Sequence, residues 1–204
     1  MYIGQILPEQ PIDMRRFDPL NVVRVAEAHL ATLENPRERQ ILANFIEHAA
    51  AEATGDYARL MASCSRKRQS YTAWGAGAGY AAHLPQSWAE LEKHYYGLIA
   101  ANIYLIHFEV EKLTVGRDTL AVDGIVHQLY PGQLIEPIFG FSVPDPGAVY
   151  QLTKRSCIFF VFDEDGKGCG EHAYSNGPTT ADNLSLVPPE LVPAAFHANP
   201  LARG

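Results

Sequence analysis

His172 and Tyr174 stand two residues apart in a β-rich segment, so both project from one face of a strand. Histidine is the side chain whose unperturbed proton affinity falls near neutrality, and a tyrosine hydroxyl can donate to a developing oxyanion. Together they suit proton transfer next to a carbonyl, with His172 moving the proton and Tyr174 holding the enolate oxygen. Each also has a plainer role, as a hydrogen-bonded structural histidine and a packed aromatic. A second set, His107, Glu109, Asp123 and His127, lies on the polar faces of two neighbouring strand patterns. It can converge as a His/carboxylate group if the turn at Gly116–Asp118 closes evenly, or simply form an exposed polar face. The same residue types can ligate a metal in a hydroxylase or lyase built on His107, Asp123 and His127. No CxxC or HExxH spacing supports that reading, and neither a metal nor a cofactor is expected.

A hairpin positions the first pair. The apolar run Cys157–Phe162 meets Asp163, Glu164, Asp165 and Gly166, and a second extended run carries His172 and Tyr174. Asp-Gly between β-rich runs is a strong hairpin signal. A two-residue turn at Asp165-Gly166 sets Glu164 opposite Lys167, Phe159 opposite His172 and Cys157 opposite Tyr174. Arg155, Cys157, Phe159 and Val161 then share a face with Gly170, His172 and Tyr174. Ile158, Phe160 and Phe162 share the other with Cys169, Glu171 and Ala173. Both faces are apolar, so helices are expected on one and a second subunit, in a homodimer, on the other.

Upstream, the pattern is helical. Asp18-Pro19 predicts a helix start, and Leu20, Val23, Ala26, Leu30 and Leu33 recur at helical spacing. Asn35-Pro36 opens a second helix, whose apolar face includes Ile41, Leu42, Phe45, Ile46 and Ala49. Thr54-Gly55-Asp56 ends it and caps a short third helix. Tyr71–Trp74 reads as a short strand, the glycines between Gly75 and Gly79 as a pocket-edge loop, and Ser87–Glu90 as a capping box opening a further helix. Period-two patterns follow at Ile106–Glu111 and Leu120–His127. Pro131–Gly147, with four prolines, reads as loop, Val149–Phe162 as a long strand, and the tail from Asn183 as a surface wrap with little regular structure. Helices first and strands later read as α+β.

The chain has 204 residues, 47% hydrophobic and 19% charged, with a net charge of −7. One domain of this length buries roughly 70% of its unfolded surface. The acidic balance argues against a nucleic-acid partner. No apolar run approaches the ~18 residues of a membrane span, and no signal pattern opens the chain, so membrane partners are not expected and a cytoplasmic location is. Cys64, Cys157 and Cys169 are too few and wrongly spaced for a disulfide framework and read as free thiols.

Two segments resemble a known family. Residues 41–61, ILANFIEHAAAEATGDYARLM, resemble the opening helix pair of SnoaL-like proteins in the nuclear transport factor 2-like (NTF2-like) superfamily. Residues 162–176, FDEDGKGCGEHAYSN, are similar to that family's final hairpin, where a D-G-K turn precedes a strand reading roughly E-H-aromatic-Asp. The resemblance implies a 37–176 domain, flanked by a 1–36 extension with one helix and a 177–204 tail. It implies an NTF2-like α+β cone: a curved mixed or antiparallel β-sheet wrapped around N-terminal helices, with an internal cavity for a hydrophobic small-molecule ligand. Family members include polyketide cyclases, ketosteroid isomerases, dehydratases and epoxide hydrolases; others only bind ligands or proteins. Two functions therefore stand: a cofactor-independent cyclase, isomerase or dehydratase, or a non-catalytic ligand-binding or protein-interaction module. By this analogy the His172/Tyr174 face lines the cavity with Arg155, Cys157 and Phe159. Tyr57, Tyr71 and Trp74 are expected at its mouth or, as aromatics equally often are, in the core, and His107, Glu109, Asp123 and His127 are further candidate substrate contacts. Glu171-His172 matches the family's E-H pair. Two positions on, where the cyclase-type pattern has a catalytic Asp, this chain has Tyr174.

Overall fold

Capping side chains mark where the helices begin in the computed structural model, which describes residues 9–75 and 84–201. Helix α1 spans Asn21–Leu30. It starts later than the sequence predicts, because the Asp18 carboxylate accepts from Leu20 N and orders the preceding turn instead of capping the helix. Helix α2 spans Pro36–Thr54, and Asn35 accepts from the backbone of Arg37 and Glu38 at its start. Gly55, at φ 67°, ends it in the left-handed conformation that glycine adopts without strain. Asp56 accepts from Arg59 N to cap α3, Tyr57–Ser63. Ser87 caps α4, Trp88–Ala100, and the Glu90 carboxylate takes the Gln86 N–H. Replacing Asn35 by Ala strips two backbone donors of their acceptor. It is expected to cost about 1 kcal/mol of stability in urea denaturation.

The strands are β1 (Ser70–Trp74), β2 (Ile106–Val115), β3 (Thr119–Pro131), β4 (Val149–Phe162), β5 (Gly168–Ser175) and β6 (Leu184–Leu186). They form one open mixed sheet of order β1-β5-β4-β3-β2, with β6 paired to β4. Among the strand pairings of the described residues, β1–β5 is the parallel one. Helices packed on one face of such a sheet make an α+β cone.

In the closing hairpin, Cys157 faces Tyr174 and Phe159 faces His172, the register predicted from the sequence. The turn itself differs. Asp163 N donates to Lys167 O around Glu164, Asp165 and Gly166, and Gly166 takes φ 76°. Three residues therefore make the loop, and a register shift between Val161 and Phe162 absorbs the difference.

The face that the family analogy leaves for a second subunit is instead the one beneath the helices. Val22, Val23, Ile41, Leu42 and Phe45 form a core with Phe108, Leu120, Val122 and Phe162, and Ile158 and Phe160 pack against it. Phe45 meets Phe160 edge-on, with ring centroids 4.7 Å apart. Each such buried side chain contributes about 1.5–3 kcal/mol. Two stretches read as irregular carry structure. Ile135–Phe139 forms α5, with Ile135 buried beside Tyr130 and Tyr150. The tail contributes β6 and α6, Ala194–His197, and sinks Val187 and Phe196 into the core that holds Leu91, Tyr95 and Ile99. Apolar tail residues with a groove to fill do not stay on the surface. Among the described residues, no helix is long and apolar enough to cross a membrane.

Candidate functional site

Helices α2 and α4 and the concave sheet face enclose a cavity of about 250 Å³. Its α2 wall is Phe45, His48, Ala49, Glu52 and Ala53, which recur at the spacing of a single helical face. His94, Tyr95 and Leu98 come from α4, and Val126, Ile158, Phe160, Lys154 and Glu171 from the sheet. The walls are mostly apolar, with ionisable groups at two places.

The first group is His48, Glu52, Tyr95 and Glu171. Its hydrogen bonds assign the protons. Ser63 Oγ donates to Leu60 O at 2.6 Å, so toward His48 Nδ1, 2.9 Å away, it accepts. Tyr95 donates its hydroxyl to Glu171 Oε1 at 2.8 Å, so toward His48 Nε2, 3.2 Å away, it also accepts. Both ring nitrogens are then donors, and His48 is an imidazolium. Its Nε2 lies 3.7 Å from Glu171 Oε1. Burial opposes the charge on His48, but hydrogen bonds and charge from Cys64 and Glu171 prevail and hold its proton affinity well above the ordinary value. Burial likewise pushes Glu171 up, and His48 together with the Tyr95 hydroxyl outweighs this and lowers it. Tyr71 supports the arrangement, its hydroxyl 3.0 Å from that of Tyr95.

Glu52, one turn after His48 on α2, stands outside this closed set. Burial and the nearby Glu171 charge raise its carboxyl to about 7, against the lowering pull of His48. A cavity carboxyl that exchanges its proton near neutrality is suited to general acid–base catalysis. His94, beside Tyr95, is pushed the other way by burial and favours the neutral form.

His172 and Tyr174 are not in the cavity. They share the opposite sheet face with Arg155, Cys157 and Phe159, because β5 presents its odd-numbered residues, Glu171, Ala173 and Ser175, to the helices. The cavity placement of all five is corrected on that ground. Tyr174 stacks on Trp74 at 4.6 Å, Phe159 meets Tyr174 edge-on, and His172 Nε2 lies 3.4 Å from Ser70 Oγ. Arg155 pairs with Glu9 and Glu111, and Cys157 is half-buried. Of the three aromatics expected at the mouth, Trp74 lines the cavity. Tyr71 is buried beneath it, and Tyr57 packs on Tyr96 with its hydroxyl reaching Glu92 O. Residues 76–79 of the expected pocket-edge loop lie outside the described residues.

The second predicted set converges only in part, also on the outer face. The His107 and His127 rings meet tilted at 54° with centroids 5.8 Å apart, and His127 Nε2 lies 3.8 Å from Glu109 Oε1. Burial and the neighbouring His107 push His127 down to about 4, so it stays neutral. Asp123 pairs with Lys112 and Cys157, four residues and ~13 Å along β3 from His127. Among the described residues no group of three or more His, Cys, Asp or Glu is placed to hold a metal ion. Besides Tyr95, Glu171 and Lys154, sequence reading missed His48 and Glu52. Their signal was two ionisable side chains one turn apart within the apolar stripe of α2.

No family model and no curated protein matches the chain. Solved structures do. A protein described as a SnoaL-like polyketide cyclase, from Shewanella putrefaciens, superposes with a TM-score of 0.54 at 13% identity, covering 84% of this chain and 93% of its own. A Mycobacterium tuberculosis protein gives 0.50 at 10% identity, covering 76% and 100%. An NTF2-like protein from Anabaena variabilis gives 0.49 at 12%, covering 74% and 97%. With a helix-lined cavity on the concave side of an open mixed sheet, the chain has the SnoaL-like, NTF2-like fold.

Proposed function

We propose that this protein is an acid–base enzyme that moves a proton next to a carbonyl on a hydrophobic small molecule, in a cyclisation, isomerisation or dehydration. The carrying observation is Glu52: a carboxyl inside the apolar cavity, raised to about 7, beside a His48–Tyr95–Glu171 set whose protons are all committed. Glu52 takes the proton from the carbon next to the carbonyl. The His48 imidazolium, held by Ser63 and Glu171, supplies positive charge that stabilises the enolate as it forms. Tyr95 is a positioning residue, bridging His48 to Glu171. The test is deuterium exchange at the α-carbon of a panel of hydrophobic ketones in D₂O, followed by NMR. Exchange above the buffer rate supports the reading. Ligands that bind with no exchange return the protein to the non-catalytic ligand-binding class.

The N-terminal segment covers part of the outer sheet face, where Glu9 pairs with Arg155 and Gln151 reaches Ile12 O, and the exposed remainder supports a homodimer. Trp74, Phe159 and Tyr174 are 47%, 40% and 45% exposed, and Tyr174 touches both of the others, an aromatic cluster that a second copy would cover. Light scattering is expected to give twice the chain mass, and Phe159→Lys with Tyr174→Lys the single mass.

A further inference from the structure

Lys154 is the second ionisable place in the cavity, and no part of the proton-transfer reading uses it. It stands on β4 between Leu152 and Ser156, on the face that lines the cavity, and is only 7% exposed. Its ammonium has three neighbours: the Gly177 carbonyl, Ser175 Oγ at 3.5 Å and Thr179 Oγ1 at 3.5 Å. All are neutral oxygens. Among the described residues Lys154 has no ion pair, while Lys67 on the surface has two carboxylates. A buried ammonium without a counter-charge is costly, and burial accordingly lowers its proton affinity. Three oxygen acceptors around one nitrogen match the three N–H donors of the charged form. The two hydroxyl contacts sit at the outer limit of a hydrogen bond, so those N–H groups can turn toward an entering anion at little loss.

The cavity's own acids do not fill that role: the charges that act on Glu52 are those of His48 and Glu171, not Lys154. Glu171 lies four residues from Ser175 along β5, ~13 Å away, and is already held by Tyr95 and His48. Between the two polar places the walls carry Val126, Ile158 and Ala173, with Ser156 beside Lys154 and its hydroxyl donating to Tyr174 O.

We propose that Lys154 is an anion-binding residue and that the cavity takes an amphipathic carboxylic acid, its carboxylate on Lys154 and its apolar body along the sheet. The location of the reacting carbonyl at the far end, near Glu52, rests on the acid–base reading; the Lys154 site itself does not.

Decanoate and 1-decanol are matched probes, titrated calorimetrically at pH 7. The wild-type protein is expected to bind decanoate at least 10-fold more tightly than 1-decanol. Lys154→Met should lower decanoate affinity at least 10-fold and leave 1-decanol within about twofold. Lys154→Arg should retain most of the preference. Circular dichroism melting verifies that the variants fold; if Lys154→Met does not, the acid–alcohol preference of the wild type decides alone. Equal binding of acid and alcohol by the wild type overturns the proposal, as does a folded Lys154→Met that weakens both alike. Glu52→Gln should keep the decanoate preference. A selective site in a protein that exchanges no α-protons would therefore sink the acid–base reading and leave this one standing.

Discussion

Glu52→Gln is expected to lower α-proton exchange by about 10²–10⁴-fold, the usual contribution of a positioned general base. The neutral amide keeps the shape of the side chain and loses the exchangeable proton. In the wild type, exchange should rise with pH through about 7, as Glu52 ionises, and then level off. The same variant has a second readout that requires no substrate. A carboxyl with folded pKa about 7 and unfolded pKa near 4.5 binds its proton more tightly in the folded state. Folding is therefore unopposed by Glu52 at pH 4, and loses stability as pH rises from there through 7. Gln, which never ionises, escapes that loss. Glu52→Gln should be more stable than wild type at pH 8 by about 3 kcal/mol, several degrees in Tm, and indistinguishable from it at pH 4. A variant that is no more stable at pH 8 would show that Glu52 ionises in the cavity without penalty, and the general-base assignment would fall with it.

Glu171→Gln is expected to produce the largest loss of stability in the site, about 3 kcal/mol at pH 5–6. It leaves His48 charged against Tyr95 and Ser63 with no counter-ion, and removing one partner of a buried pair costs more than the pair contributes. The pH window follows from the two directions of shift. His48 is raised when folded, so its contribution is complete below its unfolded value near 6.5 and fades as pH rises through the folded one. Glu171 is lowered when folded, so its contribution is complete above the unfolded value near 4.5 and fades as pH falls through the folded one. The pair is strongest between those values. The deficit of Glu171→Gln should shrink on the alkaline side, where His48 sheds its proton. A second substitution, His48→Phe, should recover much of the loss, because it removes the stranded charge. Urea denaturation of the two single variants and the double variant, at pH 5.5 and 8.5, measures the coupling. Additive losses at pH 5.5 would show that His48 and Glu171 do not act as a pair.

Local signals carried a large part of this architecture. Asn35-Pro36, Asp56 and Ser87 placed three helix starts, because a cap is a contact between a side chain and a backbone two or three residues away. Strand alternation and the Asp-Gly turn placed Cys157 opposite Tyr174 even though the turn is one residue longer than expected. The same short range explains what was misread. Ile135–Phe139 and the tail lack strong periodicity, and their order comes from apolar side chains filling grooves made by distant segments.

Pairing along the chain divides β4 and β5 into two sets of side chains, and the residue types alone make both sets apolar. Which set faces inward depends on where α1 and α2 land, and that choice follows from the total apolar surface the helices bury against Phe108, Leu120, Val122 and Phe162. A strand's side-chain period is two, so a wrong choice of face exchanges the entire site: His172 and Tyr174 go to the outer surface and Glu171 comes in. Glu171 acquires its role only there, beside His48 and Tyr95, which lie 123 and 76 residues away in sequence and meet it only through packing.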